Sequence, residues 1–249
     1  MKKMGCSDPT TLSAVDLAAL MHRRALSARE VMTAFLDRIE AVNPPINAIV
    51  TLRARADLLA EAVAMDRDGP QGPLWGMPIA IKDLVATRGI RTTYGSPLHA
   101  DHVPEADDLV AARLKAAGAI VIGKTNTPEW GHGSHTFNPV FGATRNPYDP
   151  ARTAGGSSGG AAAALAARLL PLADGSDMMG SLRNPAGFCN VYGFRPTWGL
   201  VPQDAVGDTF LSTMATEGPM ARSPEHLALM LSVLAGPNHE APSGRAAAE

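Results

Sequence analysis

Cysteine is nearly absent from this chain of 249 residues: only Cys6 and Cys189 occur. Two isolated cysteines form neither a disulfide framework nor a zinc-ligand spacing, so a reducing, cytoplasmic setting is expected. Long apolar runs are also missing. The most apolar window, from Gly159 to Ala173, is broken by Arg168 and Pro171, which falls short of the ~20 residues a membrane-spanning helix needs. The opening Met-Lys-Lys-Met-Gly-Cys is followed by polar residues, unlike a secretory leader. An excess of charge is lacking too. Lysine and arginine total 22 against 24 aspartates and glutamates, a net charge of -2, and the basic residues are scattered. Nucleic acid and anionic membranes are therefore not expected as direct partners.

The composition that is present, 45% hydrophobic and 18% charged, suits an ordinary globular protein. Ser13 to Asp16 and Ser27 to Glu30 have the spacing of helix-capping boxes. After Ser27, Val31, Phe35, Ile39 and Val42 recur at helical spacing, and Pro44-Pro45 predicts the end of that helix. Further helices are predicted over 54–66, 106–117, 158–170 and 223–234. Short apolar runs, Ala48–Leu52, Pro78–Ile81 and Ala119–Ile122, have the character of buried strands. Alternating strands and helices predict an α/β fold: a mixed, largely parallel sheet core with flanking helices. One domain is expected overall, with an N-terminal helical region over 1–66, a core over 67–237 and a disordered tail over 238–249. Residues 126–156, rich in Gly, Pro, Asn and Thr, form a long loop, and loops of that length within a compact domain are usually functional.

Gly118-Ala-Ile-Val-Ile-Gly-Lys-Thr125 matches the phosphate-binding pattern G-x4-G-K-[ST]. Its four variable positions are themselves a strand, and Asn126-Thr-Pro128 opens a loop where a helix would be required. The match is read as a strand ending in a polar turn. Three other segments carry chemistry. Lys82 ends the apolar run Pro78–Ile81, where partial desolvation would favour a neutral amine able to act as a base; a lysine reaching to water is the alternative. Gly155-Gly-Ser-Ser-Gly-Gly160 precedes an alanine-rich helix, whose N-terminus could also suit a phosphate. Ser181, in Met178-Met-Gly-Ser181, stands on a tight turn that could present its hydroxyl, with neighbouring N–H groups forming an oxyanion hole.

Together these segments resemble the amidase signature enzymes. The order of the three is the family's, and the separations, 75 positions from Lys82 to Ser157 and 24 from Ser157 to Ser181, match its register. Gly123–Glu129, Phe141–Pro147, Val191–Thr197 and Glu217–Arg222 are similar as well, so the resemblance runs from about residue 10 to about residue 237. It implies a Ser-Ser-Lys triad without metal or other cofactor. Ser181 would attack an amide carbonyl to form an acyl-enzyme. Ser157, held by a cis peptide after Gly156, would relay the proton, with Ser158 in support, and Lys82 would be the final base. The N–H groups of Met178, Met179, Gly180 and Ser181 would line the oxyanion hole. Asp177 and Arg183 flank the nucleophile as a pair, structural or catalytic. The substrate would be a small carboxylic amide; the alternatives are an A-type subunit of a glutamine-dependent amidotransferase serving aminoacyl-tRNA and a truncated, non-catalytic fragment.

Two departures stand out. Met179 occupies a position where the family has glycine, and it would be strained if that position requires positive φ. The family is also longer, which implies a C-terminal part completing the sheet and pocket; a complementing segment or a homo-oligomer is therefore an expected partner. His132 and His135 have no third ligand at metal spacing and are assigned to the loop. Cys189 is expected to be a small buried residue, not a thiol nucleophile.

Overall fold

The computed structural model describes residues 8–204 and 213–238. Cys6 and nearly all of the tail predicted over 238–249 lie outside the described residues.

Two helices open the described chain, α1 (Ala14–His22) and α2 (Ala28–Ile46). Ser27 and Glu30 form the full reciprocal capping box at α2. At α1, Ser13 accepts from the Asp16 N–H and donates to its carboxylate, so only half of that box is made. Val31, Phe35 and Ile39 are buried on the inner face of α2. Pro44 and Pro45 do not stop this helix. It runs to Ile46 and ends at Asn47 in a left-handed conformation. The prolines sit in the last turn, where each removes one N–H, and the Asn47 N–H still reaches the Asn43 carbonyl at 2.7 Å.

β1 (Ile49–Leu52) and α3 (Arg55–Asp68) follow, then β2 (Pro78–Lys82), α4 (Leu109–Ala116) and β3 (Ile120–Thr125). These strands form a sheet in the order β1-β3-β2, with β2 parallel and β1 antiparallel to β3. Both β2 and β3 are buried along their whole length, which explains their unbroken apolar runs. The long loop carries a short antiparallel pair, β4 (Phe137–Asn138) and β5 (Gly142–Ala143). α5 (Gly159–Ala166) is buried almost throughout. Its small side chains allow close approach: a Cβ on Gly159 or Gly160 would collide with Thr136 or with the Asn126 backbone.

The remaining elements are β6 (Ala173–Asp177), α6 (Arg183–Phe188), β7 (Tyr192–Gly193), β8 (Thr216–Ala221) and α7 (Pro224–Leu234). β8 pairs antiparallel with both β6 and β7. The fold is thus mixed α/β, with its parallel pairing at β2–β3. The two sheets meet where the Lys82 N–H, at the end of β2, donates to the Asp174 carboxylate on β6 at 3.0 and 3.2 Å. α7 folds back on the start of the chain: His226 Nε2 accepts from the Ala14 N–H at 3.2 Å, and Arg222 donates to the Leu170 and Leu12 carbonyls.

Candidate active site

The C-terminal ends of β2 and β6 and the N-terminus of α5 converge on one lysine. The Lys82 side chain is fully buried. Among the described residues three hydroxyls surround its Nζ: Ser157 at 2.8 Å, Ser158 at 2.9 Å and Ser176 at 2.9 Å. Burial pushes the Lys82 ammonium below the usual lysine range, opposed by the negative charges of Glu217, Asp174 and Asp177. The strand-end lysine therefore turns inward to the hydroxyls.

Ser157 and Ser158 are placed by the glycine-rich turn before α5, and the Gly156–Ser157 peptide is cis. Ser158 is knitted into the cluster further. Its N–H donates to the Ser181 carbonyl at 3.2 Å, and its Oγ accepts from the Ser176 N–H at 3.3 Å. Gly175 makes this approach possible, since a Cβ there would stand 2.8 Å from Ser158 Oγ and 2.7 Å from Leu182 Cδ2.

Ser181 sits on the turn between β6 and α6. It joins the cluster through its carbonyl; among the described residues no hydrogen bond links its hydroxyl to that of Ser157. The turn is organised by Asp177, which is fully buried. Its carboxylate accepts from the Gly180 N–H at 2.7 Å and the Leu182 N–H at 3.2 Å. Arg183 forks onto it through Nε and an Nη at 2.9 and 3.0 Å, and Arg195 Nε lies 3.3 Å away. Burial alone would raise this carboxyl, but the Arg183 hydrogen bonds and the two backbone donors outweigh it and hold the carboxyl below its ordinary value.

The four N–H groups expected to line an oxyanion hole differ in their partners. The Gly180 N–H is committed to Asp177, whereas those of Met178, Met179 and Ser181 have no hydrogen-bond partner among the described residues. Positive φ falls on Gly180, at 110°, and Met179 is absent from the left-handed region. Methionine is therefore accommodated without strain at the position where the family has glycine. Met179 is 80% exposed and Met178 49%.

Sequence reasoning missed Ser176, Asp174, Glu217 and Arg195. The available signal was polar residues inside strands: Asp174, Ser176 and Asp177 in β6 and Glu217 in β8, where burial demands partners. Elsewhere, the backbone of His135 packs against Gly156, the residue before Ser157. His135 Nδ1 lies 3.0 Å from Thr153 Oγ1, and among the described residues no group of three or more His, Cys, Asp or Glu is arranged to hold a metal. Cys189 is buried, and burial pushes its thiol up to about 12, which leaves no thiolate to act as a nucleophile. Lys124 of the phosphate-loop match is buried at the end of β3 and donates to the Val85 carbonyl and Thr87 Oγ1. No helix among the described residues is long and apolar enough to cross a membrane.

The chain is also similar to known proteins. The chain is 48% identical over 223 residues to the A-type subunit of a glutamyl-tRNA(Gln) amidotransferase of Thermus thermophilus, covering 90% of this chain and 46% of that one. It is 43% identical over 235 residues to an acylamidase of Rhodococcus erythropolis, covering 93% and 49%. A bacterial aryl acylamidase of the amidase signature family superposes with a TM-score of 0.88 at 33% identity, over 95% of this chain and 50% of that one. The chain thus spans about half the length of the curated relatives it matches. The family model Amidase matches residues 30–247, and the chain belongs to that family.

Proposed function

We propose that this chain carries the catalytic centre of an amidase that hydrolyses a small carboxylic amide through an acyl-enzyme on Ser181, without a cofactor. The observation that carries the reading is the buried Lys82 Nζ 2.8 Å from Ser157 Oγ. An ammonium has three N–H donors and no lone pair, whereas a neutral amine has two donors and one lone pair. With Lys82 neutral, Ser158 and Ser176 accept its two N–H bonds and Ser157 donates into its lone pair. Ser157 Oγ is then able to accept the Ser181 proton as Ser181 Oγ attacks the carbonyl. The carbonyl oxygen, as it gains charge, is stabilised by the N–H groups of Met178, Met179 and Ser181. The proton returns from Lys82 through Ser157 to the leaving nitrogen, and water releases the carboxylate. Asp177, held by Arg183 and Arg195, keeps the turn in shape. We place the protein in the cytoplasm, consistent with Cys189 as a free thiol.

A sulfonyl fluoride probe, with the adduct mapped by mass spectrometry, tests this reading. Labelling of Ser181 that is lost in Ser181→Ala and falls about 100-fold or more in Lys82→Ala supports it. Unlabelled, folded protein sinks it for the chain alone, and the non-catalytic fragment then takes its place.

A second reading rests on the identity to the A-type subunits of glutamyl-tRNA(Gln) amidotransferases. There the same centre would release ammonia from glutamine beside partner proteins. Glutaminase activity that appears only with those partners would favour it over the stand-alone amidase. In either case we infer that a complementing C-terminal segment or a second copy covers the exposed Met178, Met179, Phe188 and Phe194.

A further inference from the structure

We propose that Glu217 is a positioning residue for the proton on Lys82: its carboxyl, brought beside the lysine across Ser176 from the neighbouring strand, decides how firmly Lys82 holds the proton received from Ser157. Its catalytic meaning rests on the amidase reading above, but its physical content does not. β6 and β8 pair antiparallel with Ser176 directly opposite Glu217. Side chains of opposed residues lie on one face with Cβ atoms about 5 Å apart, and Ser176 Oγ is itself 2.9 Å from Lys82 Nζ. The carboxyl thus approaches the lysine from β8, a strand that supplies none of the three hydroxyls. Glu217 Oε2 is enclosed and has no hydrogen-bond partner among the described residues, an arrangement whose cost must be met by a charge or a function.

The other nearby carboxylates are already committed. Asp174 accepts the Lys82 backbone N–H, and Asp177 is saturated by Gly180, Leu182, Arg183 and Arg195. Groups acting on Lys82 are Glu217, Asp174 and Asp177; Glu217 in turn faces Lys82, Asp174, Asp108 and Asp204. Burial raises the Glu217 carboxyl and lowers the Lys82 ammonium, and each is the other's largest charge partner. During acylation one proton moves from Ser181 to Ser157 and one from Ser157 to Lys82. Glu217 forms and breaks no bond to carbon; in its ionised form it stabilises the ammonium until the proton is returned.

Lysine carrying 13C at Cε gives a direct test on the full chain, with the Lys82 resonance assigned by Lys82→Met. Removal of the charge in Glu217→Gln lowers the Lys82 titration midpoint by about one pH unit or more, a tenfold change in proton affinity. Glu217→Asp restores part of the shift. Labelling of Ser181 by the sulfonyl fluoride follows the same midpoint, so its rise with pH begins earlier in Glu217→Gln. An unchanged Lys82 midpoint in a folded Glu217→Gln protein overturns the proposal. If that variant does not fold, the wild-type protein decides: Lys82 and a 13Cδ-labelled Glu217 share two inflections if they are coupled, and a single independent step for each refutes it. A shifted midpoint without any labelling of Ser181 supports this inference while sinking the amidase reading, and labelling with an unshifted midpoint does the reverse.

Discussion

A lysine sealed in a protein interior must either face a negative charge or lose its proton. Lys82 and Lys124 both meet this choice, at the ends of adjacent strands. Burial pushes the Lys124 ammonium from 10.5 down to about 8, opposed by Asp83 and Asp174. Unfolded, Lys124 holds its proton up to about 10.5, so between about 8 and about 10.5 the unfolded chain binds more protons there and stability rises with pH. The stability difference between the wild-type protein and Lys124→Met should therefore move in favour of wild type across that window, as read by denaturant melts at pH 8 and pH 10. A constant difference would show that Lys124 keeps its ordinary proton affinity. Asp177 makes the opposite case, a buried carboxylate with more donors than it needs. Asp177→Asn removes the charge that Arg183 and Arg195 share and should slow Ser181 labelling about tenfold or more, while Arg183→Lys, which keeps the charge but loses the fork, should cost less.

At the level of elements, local chemistry and tertiary contact share the helix ends: Ser27 caps α2, while Asp66 also accepts from the Ala28 and Arg29 N–H groups. Ser27→Ala, which removes the side-chain half of the α2 capping box, should lower stability by about 1 kcal/mol in a urea melt and leave Ser181 labelling intact. Gly175→Ala is the contrasting change. It adds one methyl where β6 meets Ser158 and Leu182, and it should depress labelling more than it depresses stability. The same division explains how much of the fold is legible from sequence. β2 and β3 are plain from their apolar runs, and α2 from its cap and periodicity. The helix expected over 106–117 forms over Leu109–Ala116: Asp108 stands at the N-cap position but gives its carboxylate to the Ala86 N–H, and it is Asp204 that accepts from the Leu109 N–H. α5 stops at Ala166, short of the expected Leu170, because Arg168 adopts positive φ two residues later. β6, Ala-Asp-Gly-Ser-Asp, has almost no strand propensity and is held by its pairing to β8 and by the Lys82 contact to Asp174.

Across the whole molecule, the residues of the proposed triad, Lys82, Ser157 and Ser181, stand out in the sequence because their identities and spacing are carried by three short segments. Glu217 is not legible as part of the site, because its proximity to Lys82 exists only after β8 has been laid against β6. Met178, Met179, Phe188 and Phe194 are all exposed, and the chain should bind an environment-sensitive dye such as ANS on these side chains. A fall in dye fluorescence in a Met179→Ser, Phe194→Ser protein would confirm the location; unchanged fluorescence would place the dye elsewhere. The three hydroxyls around Lys82 also impose an order in time. They lie 75, 76 and 94 residues further along the chain, and Glu217 lies beyond them all. While the polypeptide emerges from a ribosome, Lys82 is an ordinary hydrated cation. On the proposed mechanism it becomes a base only when the strand carrying Ser176 docks. Nucleophilic reactivity at Ser181 would then be a late event of biosynthesis, silent in every nascent chain in which β6 has yet to dock.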